Sequence, residues 1–260
     1  MLTQICMGLR FYSRLPIPTG PWERDPHGVP DFRRITPVVP IIGLLLGVLP
    51  AAVLLGADAV GLGPLLAAGL AVATATVTTG AFHEDGLADT ADSFGAHTTE
   101  RRLEVMRDSR IGTFGAAALI LGLLLRVGAL AELLAHLDAA ETAALLVAAA
   151  GASRAAPLLM MVLLPTARTD GASYSVGLPS RLGVGIAWVL AAAAGLALAA
   201  ATGAPLGATA AGLGAVAIVG LLAVPFAARH IGGYTGDIAG AAQQVSEIAM
   251  LLTVLAVVNG

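Results

Sequence analysis

The sequence predicts an all-α, polytopic integral membrane protein with about seven transmembrane helices and an N-terminal interfacial helix. Three observations carry this. The 260 residues are 57% hydrophobic and only 12% charged, where a soluble domain has about a quarter charged, and the mean hydropathy is +0.85. Apolar runs recur at lengths that approach the roughly 20 residues needed to cross the hydrocarbon core. Arginines cluster in every second loop between those runs. Other classes are excluded on the same grounds. The apolar content excludes intrinsic disorder, and the ten-residue alternating segments of a β-barrel are absent. A net charge of −3 offers no basic footprint for nucleic acid. Cys6, the one cysteine, leaves no intramolecular disulfide and no cysteine-based zinc site.

In the N-terminal segment, Leu2, Ile5, Cys6 and Leu9 share one helical face, while Arg10 and Arg14 interrupt any run long enough for a cleaved signal. An amphipathic interfacial helix is expected there. Residues 15–30 are proline-rich and read as extended, either a leader into the first span or a segment that touches substrate. The spans are expected at 38–56, 62–82, 113–134, 142–164, 182–201, 207–228 and 245–258, the last of them short. No internal repeat is visible, so residues 1–260 read as one domain. All 14 basic residues are arginine. Most precede the first span (Arg10, Arg14, Arg24, Arg33, Arg34) or lie in the second-to-third loop (Arg101, Arg102, Arg107, Arg110). Arg168 and Arg181 follow in the fourth-to-fifth loop, and Arg229 opens the sixth-to-seventh. The alternate loops, around Asp58, Asp138 and Gly203, hold no arginine. The positive-inside rule makes the arginine side cytoplasmic, with the N-terminus in and the C-terminus out.

Three polar constellations fall on that side. Residues 83–95 read His-Glu-Asp-Gly-Leu-Ala-Asp-Thr-Ala-Asp-Ser-Phe-Gly. Asp85, Asp89 and Asp92 are spaced i, i+4, i+7, within an arc of about 60° on one helix face. Carboxylates so crowded repel unless a cation sits among them, and an oxygen-only set suits Mg²⁺ or Mn²⁺ better than zinc. The alternative is a solvated acidic helix end favoured by the helix dipole. Residues 106–115 place Arg107 and Arg110 around Asp108, ahead of a glycine-bounded helix start. That arrangement can hold phosphate through guanidinium forks and free N–H groups, or it is an ordinary charged loop with a cap. Residues 229–240 combine Gly232, Gly233 and Gly236 with Thr235 and Asp237, a loop able to approach a ligand closely. Asp237 is expected to join the acidic cluster, and His230 is a candidate for proton transfer. Two arginines lie inside spans, where charge is costly and usually faces a protein interior. Arg154 reads as a site residue; Arg126 reads as a partner of Glu132 or as the mark of a misplaced span. Glu247 lies inside the last apolar run.

Together with Phe-Tyr-Ser-Arg-Leu-Pro-Ile-Pro at 11–18 and Val-Ser-Glu at 245–247, these three segments resemble the cobalamin synthase family, the adenosylcobinamide-GDP ribazoletransferases. The resemblance spans essentially the whole chain and implies a single membrane-embedded transferase domain acting late in cobalamin biosynthesis. In that family a hydroxyl of α-ribazole, or of its 5′-phosphate, attacks the phosphorus nearest the cobinamide in adenosylcobinamide-GDP, and GMP leaves. The resemblance implies Mg²⁺, with Mn²⁺ as an alternative, and a bacterial inner membrane with the site facing the cytoplasm. The expected catalytic residues are Asp85, Asp89, Asp237 and His230, and the expected metal ligands Glu84, Asp85, Asp89, Asp92 and Asp237. Substrate contacts are expected from Arg14, Arg107, Asp108, Arg110, Arg154, Gly232, Gly233 and Thr235. The expected partners are the two small-molecule substrates and the lipid bilayer, with a homo-oligomer left open and no nucleic acid.

Two rival readings make different predictions. A CDP-alcohol phosphotransferase acting on a lipid alcohol would carry an arginine where Asp89 follows Ala88. A cation-coupled transporter would carry acids at mid-membrane and often inverted repeats, whereas the acidic cluster here lies at a cytoplasmic edge.

Overall fold

A computed structural model describes residues 1–21, 23, 25, 28–168 and 176–260; Arg24 and residues 169–175 of the fourth-to-fifth loop lie outside it. The N-terminal helix α1 (Leu2–Tyr12) carries Arg10 in its last turn. The Arg10 guanidinium donates to Glu23 at 2.6 Å and to the carbonyls of Ile17 and Pro18, so the proline-rich stretch wraps back onto α1. Helix α2 (Phe32–Ile35), capped by Asp31, leads through a 3₁₀ turn into α3 (Val39–Ala59). The chain continues through α4 (Pro64–Thr79), α5 (Phe82–Asp92), a 3₁₀ turn at Ser93–Gly95 and α6 (Thr99–Val105). Then come α7 (Thr113–His136), α8 (Ala139–Ser153), α9 (Ala156–Leu163), α10 (Arg181–Thr202), α11 (Leu206–Ile231) and α12 (Gly236–Asn259).

Among the described residues, six stretches are long and apolar enough to cross a membrane, and there are seven if α4 with the bent α5 counts as one span. The all-α polytopic fold is therefore as expected, but three spans differ in detail. The second ends at Thr79. Gly80 (φ 65°) and Ala81 (φ 56°) are both left-handed, and they turn the chain by 89° so that α5 leaves the direction of α4. A side chain at Gly80 would be strained by this φ and would require the Arg14 side chain to move, since its Nε would lie 2.7 Å from an added Cβ. The fourth span breaks at Arg154–Ala155, because Pro157 has no N–H to give the Ser153 carbonyl. The last span starts at Gly236 rather than 245. Gln243, Gln244 and Glu247 lower the local hydropathy, yet all three are buried against neighbouring helices and do not face lipid.

Small residues let the bundle close: α3 packs along α8, α4 against α7, and α12 against α11 and α5. One apolar core, rich in alanine and leucine, fills the bundle. A second surrounds Tyr12, Phe32, Tyr234 and Ile238 at the end that bears the arginine loops.

Candidate active site

The bend after α4 lays α5 across the first turns of α12. Their closest approach is backbone to backbone: a Cβ on Gly86 would lie 2.7 Å from the Asp237 carbonyl, and one on Gly240 would lie 3.3 Å from the His83 carbonyl. Gly86 sits between Asp85 and Asp89, so the crossing brings those carboxylates up to Asp237, in the first turn of α12. Thr235 starts α12 by accepting from the Ile238 N–H at 3.3 Å. Burial, then the charges of Asp85, Asp237 and Asp92, push the Asp89 carboxyl up to about 7. The nearby cation is Arg168, whose Nη2 stands 3.2 Å from Asp237 Oδ2 and also donates to the Leu103 carbonyl at 3.2 Å. That contact is ionic only, since the buried Oδ2 has no hydrogen-bond partner.

The five carboxylates expected to ligate metal do not form one cluster. Among the described residues, no group of three or more His, Cys, Asp or Glu side chains is arranged to hold a metal ion. Glu84 points away from the aspartates into the bundle, where its Oε1 pairs with Arg126 Nη1 at 2.8 Å and accepts from Thr76. The second arm of Arg126 meets Glu247 at 2.8 Å. Arg126 is therefore paired with Glu84 and Glu247 and not with Glu132, and the third span is correctly placed. Asp92 is turned to the start of α7, where it accepts from the N–H groups of Gly112 and Gly115, each at 2.7 Å. What remains is Asp85, Asp89 and Asp237 beside Arg168. Their oxygens are ligands of the type a hard divalent cation takes, but they are not closed into a three-ligand group here, and Asp237 Oδ2 faces Arg168.

The expected substrate contacts separate into three places. Arg107, Asp108 and Arg110 lie on the loop before α7. Asp108 grips the Arg110 guanidinium at 2.6 Å, and the same contact holds the Asp108 carboxyl down at about 2. Arg14 lies on the surface at the bend, its N–H bonded to the Thr78 carbonyl. Arg154, in contrast, is buried at the break between α8 and α9, its Nη1 2.6 Å from the Ala150 carbonyl and its guanidinium 6.0 Å from the Tyr12 ring centre. The glycine loop does approach another backbone closely. Gly232 is left-handed (φ 74°) and ends α11. Gly233 lies where a Cβ would meet the Pro165 carbonyl. Tyr234 forms a parallel bridge with Thr166, donating to Pro165 and accepting from Ala167. This bridge sets Arg168 beside Asp237.

His230 Nε2 lies 2.7 Å from Ser93 Oγ, and the Ser93 hydroxyl spends its proton on the Thr90 carbonyl. Nε2 therefore carries the hydrogen and donates to Ser93. The ring stacks on Phe226 at 5.1 Å, and Arg102 binds its carbonyl. These contacts tie the end of α5 to the end of α11. Arg168 and Gly86 were not singled out from the sequence as site residues. The former resembled any loop arginine that sets topology, and the latter any helix glycine in a membrane protein.

The fold is that of a polytopic membrane protein, with carboxylates, arginines and a glycine loop gathered at one end of the bundle. The chain matches the cobalamin-5-phosphate synthase family over residues 4–255, and it belongs to that family. It is 49% identical to the adenosylcobinamide-GDP ribazoletransferase of Azorhizobium caulinodans, over 98% of this chain and 96% of the relative. It is 48% identical to that of Xanthobacter autotrophicus over 95% and 93%, and 46% identical to that of Bradyrhizobium diazoefficiens over 98% and 94%. No solved structure matches the chain.

Proposed function

We propose that this protein is an adenosylcobinamide-GDP ribazoletransferase. It joins adenosylcobinamide-GDP to α-ribazole or its 5′-phosphate with release of GMP, in a bacterial inner membrane and with the site open to the cytoplasm. The observation that supports this reading most directly is the meeting of Asp85 and Asp89 with Asp237 at the arginine-bearing end of the bundle. Asp85, Asp89 and Asp237 would hold Mg²⁺, or Mn²⁺ in its place, which when bound supplies charge neutralisation on the diphosphate oxygens and on departing GMP. Arg168 balances Asp237 and is placed to follow the negative charge as it moves onto the leaving phosphate. Arg107 and Arg110 reach the outer end of the diphosphate, with Asp108 fixing the plane of the Arg110 fork. Glu84 and Asp92 hold the helices that carry the site, and His230 does the same.

The test is GMP release from adenosylcobinamide-GDP and α-ribazole by the purified protein, with and without Mg²⁺. Asp89→Asn and Asp237→Asn should each lower turnover at least 100-fold while the protein still inserts and purifies as the wild type does. Wild-type turnover in either variant at limiting Mg²⁺ would remove that residue from the site. Release of CMP from a CDP-alcohol in place of GMP release would instead establish the lipid phosphotransferase reading.

A further inference from the structure

A groove of about 470 Å³ opens on the outside of the bundle between α3 and α4. Leu15, Leu49, Leu70, Ala73 and Val77 line it, and Arg14 closes the end nearest the bend. Its apolar side chains are left uncovered by protein: Leu49 is 44%, Leu70 45% and Val77 75% exposed. From Leu70 to Val77 is two turns of α4, about 10 Å, or a third of the roughly 30 Å hydrocarbon core. The groove therefore seats the part of an acyl chain nearest its headgroup.

Arg14 is fixed in place at that end. Its N–H donates to the Thr78 carbonyl at 2.8 Å, which sets it level with the last turn of α4. Its stem lies over Gly80, where an added Cβ would come 2.7 Å from Nε and 2.9 Å from Cγ. The side chain is nonetheless exposed, and among the described residues no hydrogen bond or ion pair engages its guanidinium. Arg10, Arg101, Arg110, Arg126 and Arg168, by contrast, each meet a carboxylate. A second groove on the outside of the bundle, of about 460 Å³ between α3, α8 and α10, has Leu45 in its wall and no charged residue at all. A fixed guanidinium is thus a property of the α3–α4 groove and not of every lipid-facing cleft on this protein.

A guanidinium at the polar end of an apolar groove has the charge and the two-pronged donor geometry for a phosphate that carries a hydrocarbon chain. Zwitterionic lipids bring their own cation to that phosphate, so an unpaired arginine favours a lipid of net negative charge. We infer that the α3–α4 groove binds an anionic phospholipid of the leaflet at the arginine-bearing end, with its phosphate on Arg14 and one acyl chain along Leu49, Leu70 and Val77. Arg14 thereby receives a lipid phosphate in place of the substrate contact expected of it from sequence. The assignment does not depend on the proposed reaction. Because the Arg14 stem rests on Gly80, an occupied groove also braces the bend that lays α5 across α12.

The experiment uses the full-length protein in mixed micelles, with a tryptophan placed in the groove by Leu70→Trp and quenched by phospholipids brominated on their acyl chains. Quenching of the two native tryptophans is measured on protein without the reporter and subtracted. One arginine at an anionic membrane surface contributes about 1 kcal/mol, which is about fivefold in affinity. Brominated phosphatidylglycerol should therefore half-quench the reporter at about one fifth of the mole fraction that brominated phosphatidylcholine needs. Arg14→Gln should remove that preference and Arg14→Glu should reverse it, with quenching by phosphatidylcholine unchanged. A Leu45→Trp reporter in the arginine-free groove should show no preference. Equal quenching of the Leu70→Trp reporter by both lipids overturns the assignment, as does a preference that survives both Arg14 substitutions or is as large at Leu45→Trp. Absence of quenching by either lipid, the result if a second copy of the chain covers this face, overturns it as well.

Discussion

Replacing Arg126 by leucine tests whether the site rests on a buried ionic clamp. Arg126 is 3% exposed and its partners Glu84 and Glu247 are 6% and 4% exposed, and both ion pairs are 2.8 Å long. The guanidinium on α7 thus ties α5 to α12, the two helices that carry the site carboxylates. Leucine keeps much of the volume but leaves two buried carboxylates without a cation. Breaking one buried pair costs about 3–5 kcal/mol. With two acids orphaned the upper figure applies, and at about 2–4 °C per kcal/mol for a chain of this size the melting point should fall by roughly 10–20 °C. Thermal unfolding in detergent, followed by circular dichroism, measures this. The cost lies in uncompensated charge and not in lost packing. Arg126→Leu combined with Glu84→Gln and Glu247→Gln should therefore recover most of the loss, since the amides can still meet Thr76 and Gln243. A single variant that melts within 2 °C of wild type, or a triple variant as unstable as the single one, would refute the reasoning.

The Asp89 carboxyl, raised to about 7 by burial and its acidic neighbours, must lose its proton before it can ligate a cation. Mg²⁺ affinity should therefore climb about tenfold per pH unit below 7 and level off above it, with a proton released on binding. Calorimetry at pH 6 in two buffers of different ionisation enthalpy measures that proton, and equal heats in both would contradict the shift. The same raised value means that the metal-free fold loses stability as pH rises from about 4 to about 7, the range between the unfolded and folded values. Gly86→Ala places a Cβ 2.7 Å from the Asp237 carbonyl, a clash with backbone that only a shift of α5 against α12 relieves. The expected result is about 1–3 kcal/mol of destabilisation and at least tenfold weaker Mg²⁺ binding; wild-type values for both would show that the crossing is looser than the structure has it.

Part of the candidate site was legible because its elements are local. Asp85 and Asp89 share a face by helical periodicity alone, and the even number of crossings between them and Asp237 returns both to one side of the membrane. The roles of their neighbours were not legible in this way. Glu84, Asp85 and Asp92 are alike in composition and nearly adjacent in sequence. Whether each meets a guanidinium, a helix N-terminus or the carboxylates of another helix depends on which helix lies opposite its face of α5, and that is set by contacts 20 to 160 residues away.

The sequence by itself determined the class of fold, and it carries the arginine pattern from which the orientation and the proposed chemical end of the bundle are read. All of these follow from hydropathy and charge, which act additively along the chain. Only the tertiary structure decided that α12 begins at Gly236, that Arg126 serves Glu84 and Glu247, that Asp92 caps α7, and that Gly86 packs against the backbone of Asp237. A buried charge cannot stay unpaired in a low-dielectric interior, so it takes the partner that packing supplies, and packing is a property of helix pairs rather than of any stretch of sequence.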